Sequence, residues 1–321
     1  MKLHRSMRPT PQDVVFRSHD PSDLRIGDVM VSVTEIPSTA EKVCVLIGVP
    51  QDVGVERNGG RQGAAQAPEA IRRALTKLTI TGMNEALSAG RLVIADAGDI
   101  ETDGKTLEQI HDEQHDVVAE VLRAGYLPIV IGGGHDCAWP TIRAMESAGK
   151  PYGLINIDAH ADVRPLKEGR AHSGSPFHQL LSMNNSHLQA GGFAEFGLQQ
   201  HSVAQVHLDF VRDASMHVWM LDEIRRVGIE SAWEQAWNAC ASSRRMYVSL
   251  DMDAFASAFA PGVSAPATDG FTPAEISACL RHAAQSGSLA AFDIVECNPR
   301  FDVDGRTAKL AAVMILEVLK Y

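Results

Sequence analysis

The sequence predicts an α/β protein built on a parallel sheet, and three observations carry that reading. Short apolar runs rich in β-formers alternate along the chain with amphipathic helical stripes. The runs are continuous rather than alternating, as strands covered on both faces are. Several of them end directly in acidic residues or histidines, and open parallel sheets build their sites at the carboxyl ends of their strands. With 321 residues and no linker, the chain is expected to form one α/β domain over 41–321. Residues 1–40 are expected to be an irregular segment packed on that domain.

The elements follow in order. Pro9, Pro11, Pro21 and Pro37 punctuate a polar stretch and argue against regular structure over 1–40. Val43-Cys-Val-Leu-Ile47 is the first buried strand. It opens into a glycine-rich loop, 48–65, that is too long for a simple strand-to-helix turn and lacks the order of a phosphate loop. The loop carries Arg57 and Arg61, for which a substrate-binding or loop-ordering role stays open. Pro68 starts a helix through Leu75, and 91–94 is the next strand. Leu107, Ile110, Val117, Val118, Val121 and Leu122 form a helical stripe closed by Gly125. His111 and His115 on that helix are spaced like zinc-protease ligands, but Asp112 stands where the glutamate would, so a solvated helical face is expected.

Strands follow at 127–131 and 152–155, then a polar loop at 163–177 and a low-information Gly/Asn-rich connection at 183–196. Residues 203–211 read as helix and 217–221 as strand. Ile229, Trp233, Ala236, Trp237 and Cys240 make a helical core stripe rather than an aromatic binding face. After a strand at 247–250 and a rigid loop at 259–266, Thr272-Pro-Ala-Glu275 is a capping box with proline at the first helical position. A last strand at 290–295 and a helix at 309–320 close the chain.

Composition narrows the class of partner. The net charge of −11 argues against nucleic acid and anionic membranes. Cys44, Cys137, Cys240, Cys279 and Cys297 are scattered without a C-x-x-C pair, which reads as reduced thiols in a cytoplasmic protein. Residues 1–18 have no apolar core of a signal peptide, and no run approaches the ~20 apolar residues of a membrane span. A cytoplasmic enzyme acting on a small molecule is expected.

The chemistry concentrates at three strand ends. Asp158-Ala-His160-Ala-Asp162 alternates potential ligands with alanine, so an extended backbone sends all three to one side. Ser249-Leu-Asp251-Met-Asp253 adds two carboxylates, and Gly132-Gly-Gly134-His135 places an imidazole at the end of the strand before it. Any one of these residues alone is more simply an N-cap or a structural histidine. Together, four carboxylates and two imidazoles at one sheet edge are costly without cations. An oxygen-rich set without thiolate favours two Mn2+ while leaving zinc, cobalt and nickel open on affinity. This is a two-metal hydrolytic centre in prospect.

Those three motifs, in this order, resemble the signatures of the arginase, agmatinase and formimidoylglutamase (ureohydrolase) family, over most of the chain from about Pro21. The resemblance implies a three-layer αβα sandwich with a mainly parallel, eight-stranded sheet, often assembled as trimers or hexamers. It implies a binuclear manganese site in which Asp158 and Asp251 bridge, His135 and Asp162 complete one ion, and His160 and Asp253 the other. It further implies hydrolysis of a C–N bond at an amidine or guanidine carbon by activated water. Glu296, at the end of the last strand, matches the family glutamate that pairs with the amidine or guanidine group. His172, in the loop after the metal motif, resembles the proton-shuttling histidine. One departure stands out: Ala256-Ser257 occupies the place where the family often carries Asp-Pro, leaving a supporting contact in doubt.

Specificity must come from what meets the substrate's other end. Arg164, two residues beyond Asp162, suits a carboxylate held by paired hydrogen bonds. Arg57, Arg61 and Arg170 could add a second positive group, which fits a dicarboxylic substrate. The segments Arg57-to-Ala65, Asp162-Val-Arg164, His172-Ser-Gly-Ser-Pro-Phe177 and Ala260-to-Pro266 look like the formimidoylglutamase branch. The substrate implied is N-formimidoyl-L-glutamate. A guanidino acid such as guanidinobutyrate, an arginase- or agmatinase-type substrate, and an inactive metal-stabilised homologue are the alternatives.

Overall fold

The computed structural model describes residues 5–242 and 244–321. The expectation of a polar leading stretch over 1–18 therefore falls partly, at residues 1–4, outside the described residues. The described residues form ten strands: β1 (Met7–Arg8), β2 (Val31–Ser32), β3 (Lys42–Gly48), β4 (Leu92–Ile100), β5 (Leu127–Ile131), β6 (Tyr152–Ile157), β7 (Leu188–Leu198), β8 (His217–Met220), β9 (Met246–Asp251) and β10 (Leu289–Val295). The eight longer ones, β3 to β10, form an all-parallel sheet in the order β4-β3-β5-β10-β9-β6-β7-β8. The two-residue strands β1 and β2 both pair with β4, antiparallel and parallel respectively.

Helices cover both faces because side chains alternate across each strand. Ile155 and Ile157 of β6, Val248 and Leu250 of β9, and Phe292 and Ile294 of β10 pack with helices Ala67–Leu75, Leu221–Val227, Ile229–Cys240, Pro273–Gln285 and Arg306–Leu319. On the opposite face Val130, Leu154, Tyr247 and Ala291 meet helices Leu107–Arg123, Ala138–Ser147, Pro176–Leu181 and Gln205–Asp213. The result is the αβα sandwich that the family resemblance implies. The capping box at Thr272 is formed as read, with the Thr272 and Glu275 side chains each bonded to the other's backbone N–H.

Three segments differ from the sequence reading. The connection at 183–196 is in large part strand β7, obscured because Gly191 and Gly192 interrupt its apolar run; Gly191 takes a left-handed φ of 64° and the pairing with β6 shifts register. The loop at 48–65 contains a helix, Val53–Asn58, stopped by Gly59 at φ 80°. The leading segment contributes β1 and β2, whose pairings are too short to leave a periodic pattern.

The topology prepares the site. β5 and β6 are successive in the chain, yet β10 and β9 lie between them. The carboxyl ends of β5, β10, β9 and β6 therefore adjoin, at the point where the strand order reverses.

Candidate metal centre

His135 reaches the centre through a glycine turn. Beyond β5 the chain crosses the end of β10: Gly132 N–H donates to the Ile294 carbonyl (2.9 Å) and Glu296 N–H to the Gly133 carbonyl (2.8 Å). Gly133 passes so close to Gln51 that a Cβ there would fall on the Gln51 carbonyl oxygen. His135 then lies over β9, its Nε2 2.9 Å from Ser249 Oγ, which donates to Asp293 Oδ1 at 2.6 Å; Tyr247 Oη also donates to Asp293. With Ser249 Oγ donating to Asp293, Nε2 carries the imidazole proton and Nδ1 presents a lone pair.

That Nδ1 lies 3.2 Å from Asp158 Oδ2, 3.0 Å from Asp162 Oδ2 and 3.1 Å from Asp251 Oδ2. It makes no aligned hydrogen bond with any of them. Four ligand-type atoms thus face a common point, and all lie within 4.8 Å of one another. A second group shares Asp158 and adds His160 and Asp253, with His160 Nδ1 3.0 Å from Asp253 Oδ2. Asp158 belongs to both groups, whereas Asp251 falls in the first.

The spacing of these ligands has a local cause that differs from the extended backbone expected. β6 ends at Ile157, and Asp158 Oδ1 accepts the His160 N–H at 2.7 Å. Asp251 Oδ1 accepts the Asp253 N–H at the same distance. Each pair is a turn closed by its own aspartate, which throws the residue two positions on toward the same centre. Asp162 takes a φ of 46° and Glu296 a φ of 62°, left-handed conformations that cost a non-glycine residue about 1–3 kcal/mol.

The electrostatics ask for cations. Burial pushes Asp251 far above the carboxylate range, and it pushes Asp253 up to about 6 and Glu296 up to about 8. The Asp253 charge drives His160 up to about 12. Against the opposing effect of burial, the neighbouring carboxylates Asp158, Asp162 and Asp251 drive His135 well upward. The carboxylate cluster thus draws positive charge toward itself, which a bound cation would supply while leaving the His135 Nδ1 lone pair free to bind it. Asp253 Oδ1 and Glu296 Oε2 are also buried without a partner. The oxygen-rich donor set, its unpaired buried atoms and its two overlapping groups fit two divalent cations.

The remaining predicted residues are placed as follows. Glu296 is buried beside the centre, its Oε1 accepting the His135 N–H at 2.9 Å. His172 is outside both ligand groups: Gly174 N–H donates to its Nδ1 (3.2 Å), and its Nε2 lies 3.1 Å from the Pro165 carbonyl. Arg164 is exposed, and its Nη1 donates to Asn58 Oδ1 at 3.1 Å. The guanidiniums of Arg57 and Arg61 are engaged within the chain, which fits the loop-ordering role left open for them. Arg57 pairs with Glu108 at 2.6 Å and donates to the Ala171 carbonyl. Arg61 donates to the carbonyls of Val263 and Ser264 and lies 4.0 Å over the Phe301 ring, so it clasps two loops together. Arg170 pairs with Glu168 at 2.8 Å, both exposed. Backbone pairing takes over at Ala256-Ser257, where Ser257 N–H donates to the Ala267 carbonyl at 2.8 Å.

One further correction concerns a residue on the helix Leu107–Arg123. His111 does not lie on a solvated face: it is buried, with Nε2 2.8 Å from Asp136 Oδ2. Asp136 also accepts from Gln51 Nε2 at 2.8 Å, which ties the chain next to His135 to the segment before helix Val53–Asn58. Glu195, fully buried on β7, accepts from Asn156 Nδ2 at 2.8 Å, and burial pushes its carboxyl well upward. The signal for Glu195 and Asp293 was present: each is an acid inside an otherwise apolar strand run.

Comparison with known proteins agrees with this geometry. The chain belongs to the arginase family, whose model matches residues 42–320. Among its relatives is the formimidoylglutamase of Aromatoleum aromaticum (strain DSM 19018 / LMG 30748 / EbN1), 35% identical over 295 residues that cover 84% of this chain and 81% of the relative. The formimidoylglutamase of Rhodococcus jostii (strain RHA1) is 34% identical, covering 90% and 89%. Among solved structures, Trypanosoma cruzi formiminoglutamase with Mn2+ aligns with a TM-score of 0.83 at 34% identity, covering 92% of this chain and 97% of that one.

Proposed function

We propose that the protein is a binuclear manganese hydrolase that cleaves the C–N bond of N-formimidoyl-L-glutamate to give L-glutamate and formamide, a step of histidine degradation. The observation that carries this reading is the convergence of His135, Asp158, Asp162 and Asp251 on one point, with His160 and Asp253 sharing Asp158. Relatives named formimidoylglutamase at 34–35% identity support the choice of branch, and the manganese in the trypanosomal structure supports the metal.

In this reading, His135, Asp158, His160, Asp162, Asp251 and Asp253 would hold two Mn2+. When bound, the pair supplies Lewis acidity that makes a water nucleophilic at neutral pH. Glu296 presents its unpartnered Oε2 to the amidine group and orients it. His172 carries a proton to the departing glutamate nitrogen, which requires Nε2 to leave the Pro165 carbonyl. Arg164 binds a carboxylate of the glutamate end; of the four candidate arginines it is the one that donates to a side-chain amide. Arg170 can release exposed Glu168 to meet the second carboxylate, since such surface pairs hold by about 0–1 kcal/mol.

We further read the protein as a cytoplasmic homo-oligomer, a trimer or hexamer, acting on this small molecule rather than on nucleic acid or membrane. Five buried free cysteines support the cytoplasmic part of that reading, and no helix among the described residues is long and apolar enough to cross a membrane. Sedimentation of the purified protein tests the assembly.

The test of function is to assay manganese-loaded protein on formimidoylglutamate, guanidinobutyrate, arginine and agmatine. Formamide release from the first is expected. Urea from a guanidino substrate, with no formamide from formimidoylglutamate, would overturn the choice of substrate. Arg164→Met should lower kcat/KM for formimidoylglutamate by about 2–5 kcal/mol in activation free energy, the cost of losing a charged hydrogen-bond pair.

A further inference from the structure

The four candidate arginines differ in what holds them. Arg57 and Arg170 face carboxylates, and Arg61 is wrapped by carbonyls and an aromatic ring. Arg164 is held by the side-chain amide of Asn58, which accepts from its Nη1 at 3.1 Å. The amide's other end is fixed as well, since Asn58 Nδ2 donates to Ser173 Oγ at 3.1 Å. That second bond orients the oxygen toward Arg164. Close packing agrees with this fit: a Cβ on Gly174 would stand 3.0 Å from Asn58 Nδ2 and 3.1 Å from Arg164 Cδ, so the arginine stem lies against bare backbone.

Asn58 is itself firmly carried. It is the last residue of helix Val53–Asn58, and the Gly54 carbonyl of that helix accepts the Ser173 N–H at 3.0 Å. At the helix start, Gln51 Oε1 accepts the Val53 N–H at 2.9 Å while Gln51 Nε2 donates to Asp136, the residue after His135. The amide is therefore in register with the metal centre through a short chain of hydrogen bonds.

We infer that Asn58 is a positioning residue that sets substrate specificity: its neutral amide aims the Arg164 guanidinium and leaves the positive charge uncancelled for a carboxylate-bearing substrate tail. This rests on the reading of Arg164 given under the proposed function. The physical point is the contrast with aspartate, which has the same shape and accepts the same bond but brings a charge that neutralises the guanidinium.

Asn58→Asp is consequently the decisive variant, with Asn58→Ala and Asn58→Ser as companions if it fails to fold by thermal melting. Each is assayed on formimidoylglutamate and on an N-alkylformamidine with a neutral tail. For Asn58→Asp, the kcat/KM ratio of the first substrate to the second should fall roughly 10- to 100-fold, as loss of a charged hydrogen bond does, and through KM rather than kcat. Added to Arg164→Met, the same substitution should cost little further, because both act through one guanidinium. An unchanged ratio in a folded Asn58→Asp protein, or an equal loss on both substrates, would overturn the inference and leave Asn58 a helix-end residue. Failure of the substrate reading is separately visible in the wild-type assay. If a guanidino acid proves the substrate, the same ratio against a neutral-tailed guanidine decides the role of Asn58, and absence of any carboxylate-bearing substrate overturns both.

Discussion

A carboxylate buried beside three others persists only where positive charge stands among them. Asp251 is such a residue, since burial and the charges of Asp253 and Asp158 all press it toward its neutral form. Asp251→Asn keeps the shape and the acceptor for the Asp253 N–H while removing charge from the centre. The variant should fold yet lose turnover and bound metal; two manganese ions per chain by elemental analysis, with near-normal kcat, would remove Asp251 from the ligand set. His172 is a finer case, because its ring is held at both nitrogens by backbone groups. If it carries the proton, His172→Asn should lower kcat by about 10²- to 10⁴-fold with KM little changed. A raised KM with kcat intact would instead make it a clamp on the loop above the metals.

At the level of elements, the turn from β5 to His135 does more than reverse direction, for it carries the chain across the end of β10 and against Gln51. Gly133→Ala should destabilise the fold by about 1–3 kcal/mol or more, as overpacking does, and should weaken metal binding too, because His135 hangs from the same turn. Calorimetry and metal titration measure the two effects; a variant with wild-type values for both would mean that the turn can move. This turn was legible in the sequence as three glycines before a histidine, and so were the ligands that follow β6 and β9. Their i, i+2 spacing was read as strand alternation, whereas Asp158 and Asp251 close turns of their own. Helix Val53–Asn58 was hidden because two glycines follow it, and β7 because Gly191 and Gly192 interrupt its apolar run. The buried pairing of His111 with Asp136 could not be read from either residue, since it joins an outer helix to the metal edge across 25 positions. The partners of Arg57 and Arg61 are likewise set by loop packing, which leaves no periodic trace.

For the whole molecule, the centre is a store of electrostatic tension in the absence of cations and a brace in their presence. Binding to the folded chain alone stabilises it by about 2.7 kcal/mol when free metal is a hundred times Kd. Removing metal with a chelator should therefore lower Tm, and restoring Mn2+ should raise it again with a dependence on metal concentration. A Tm indifferent to both would mean that the cluster holds no structural cation. The strand order also determines when in the life of the molecule such bracing becomes available. β9 and β10 are late in the chain but central in the sheet, and they stand between the two strand ends that supply His135 and Asp158. A polypeptide still emerging from the ribosome, released as far as Cys240, already contains His135, Asp158, His160 and Asp162 but lacks the two strands that stand between His135 and the other three. If these residues hold the metals as proposed, a site for both ions exists only in the finished topology, and metal would seal completed synthesis rather than seed folding.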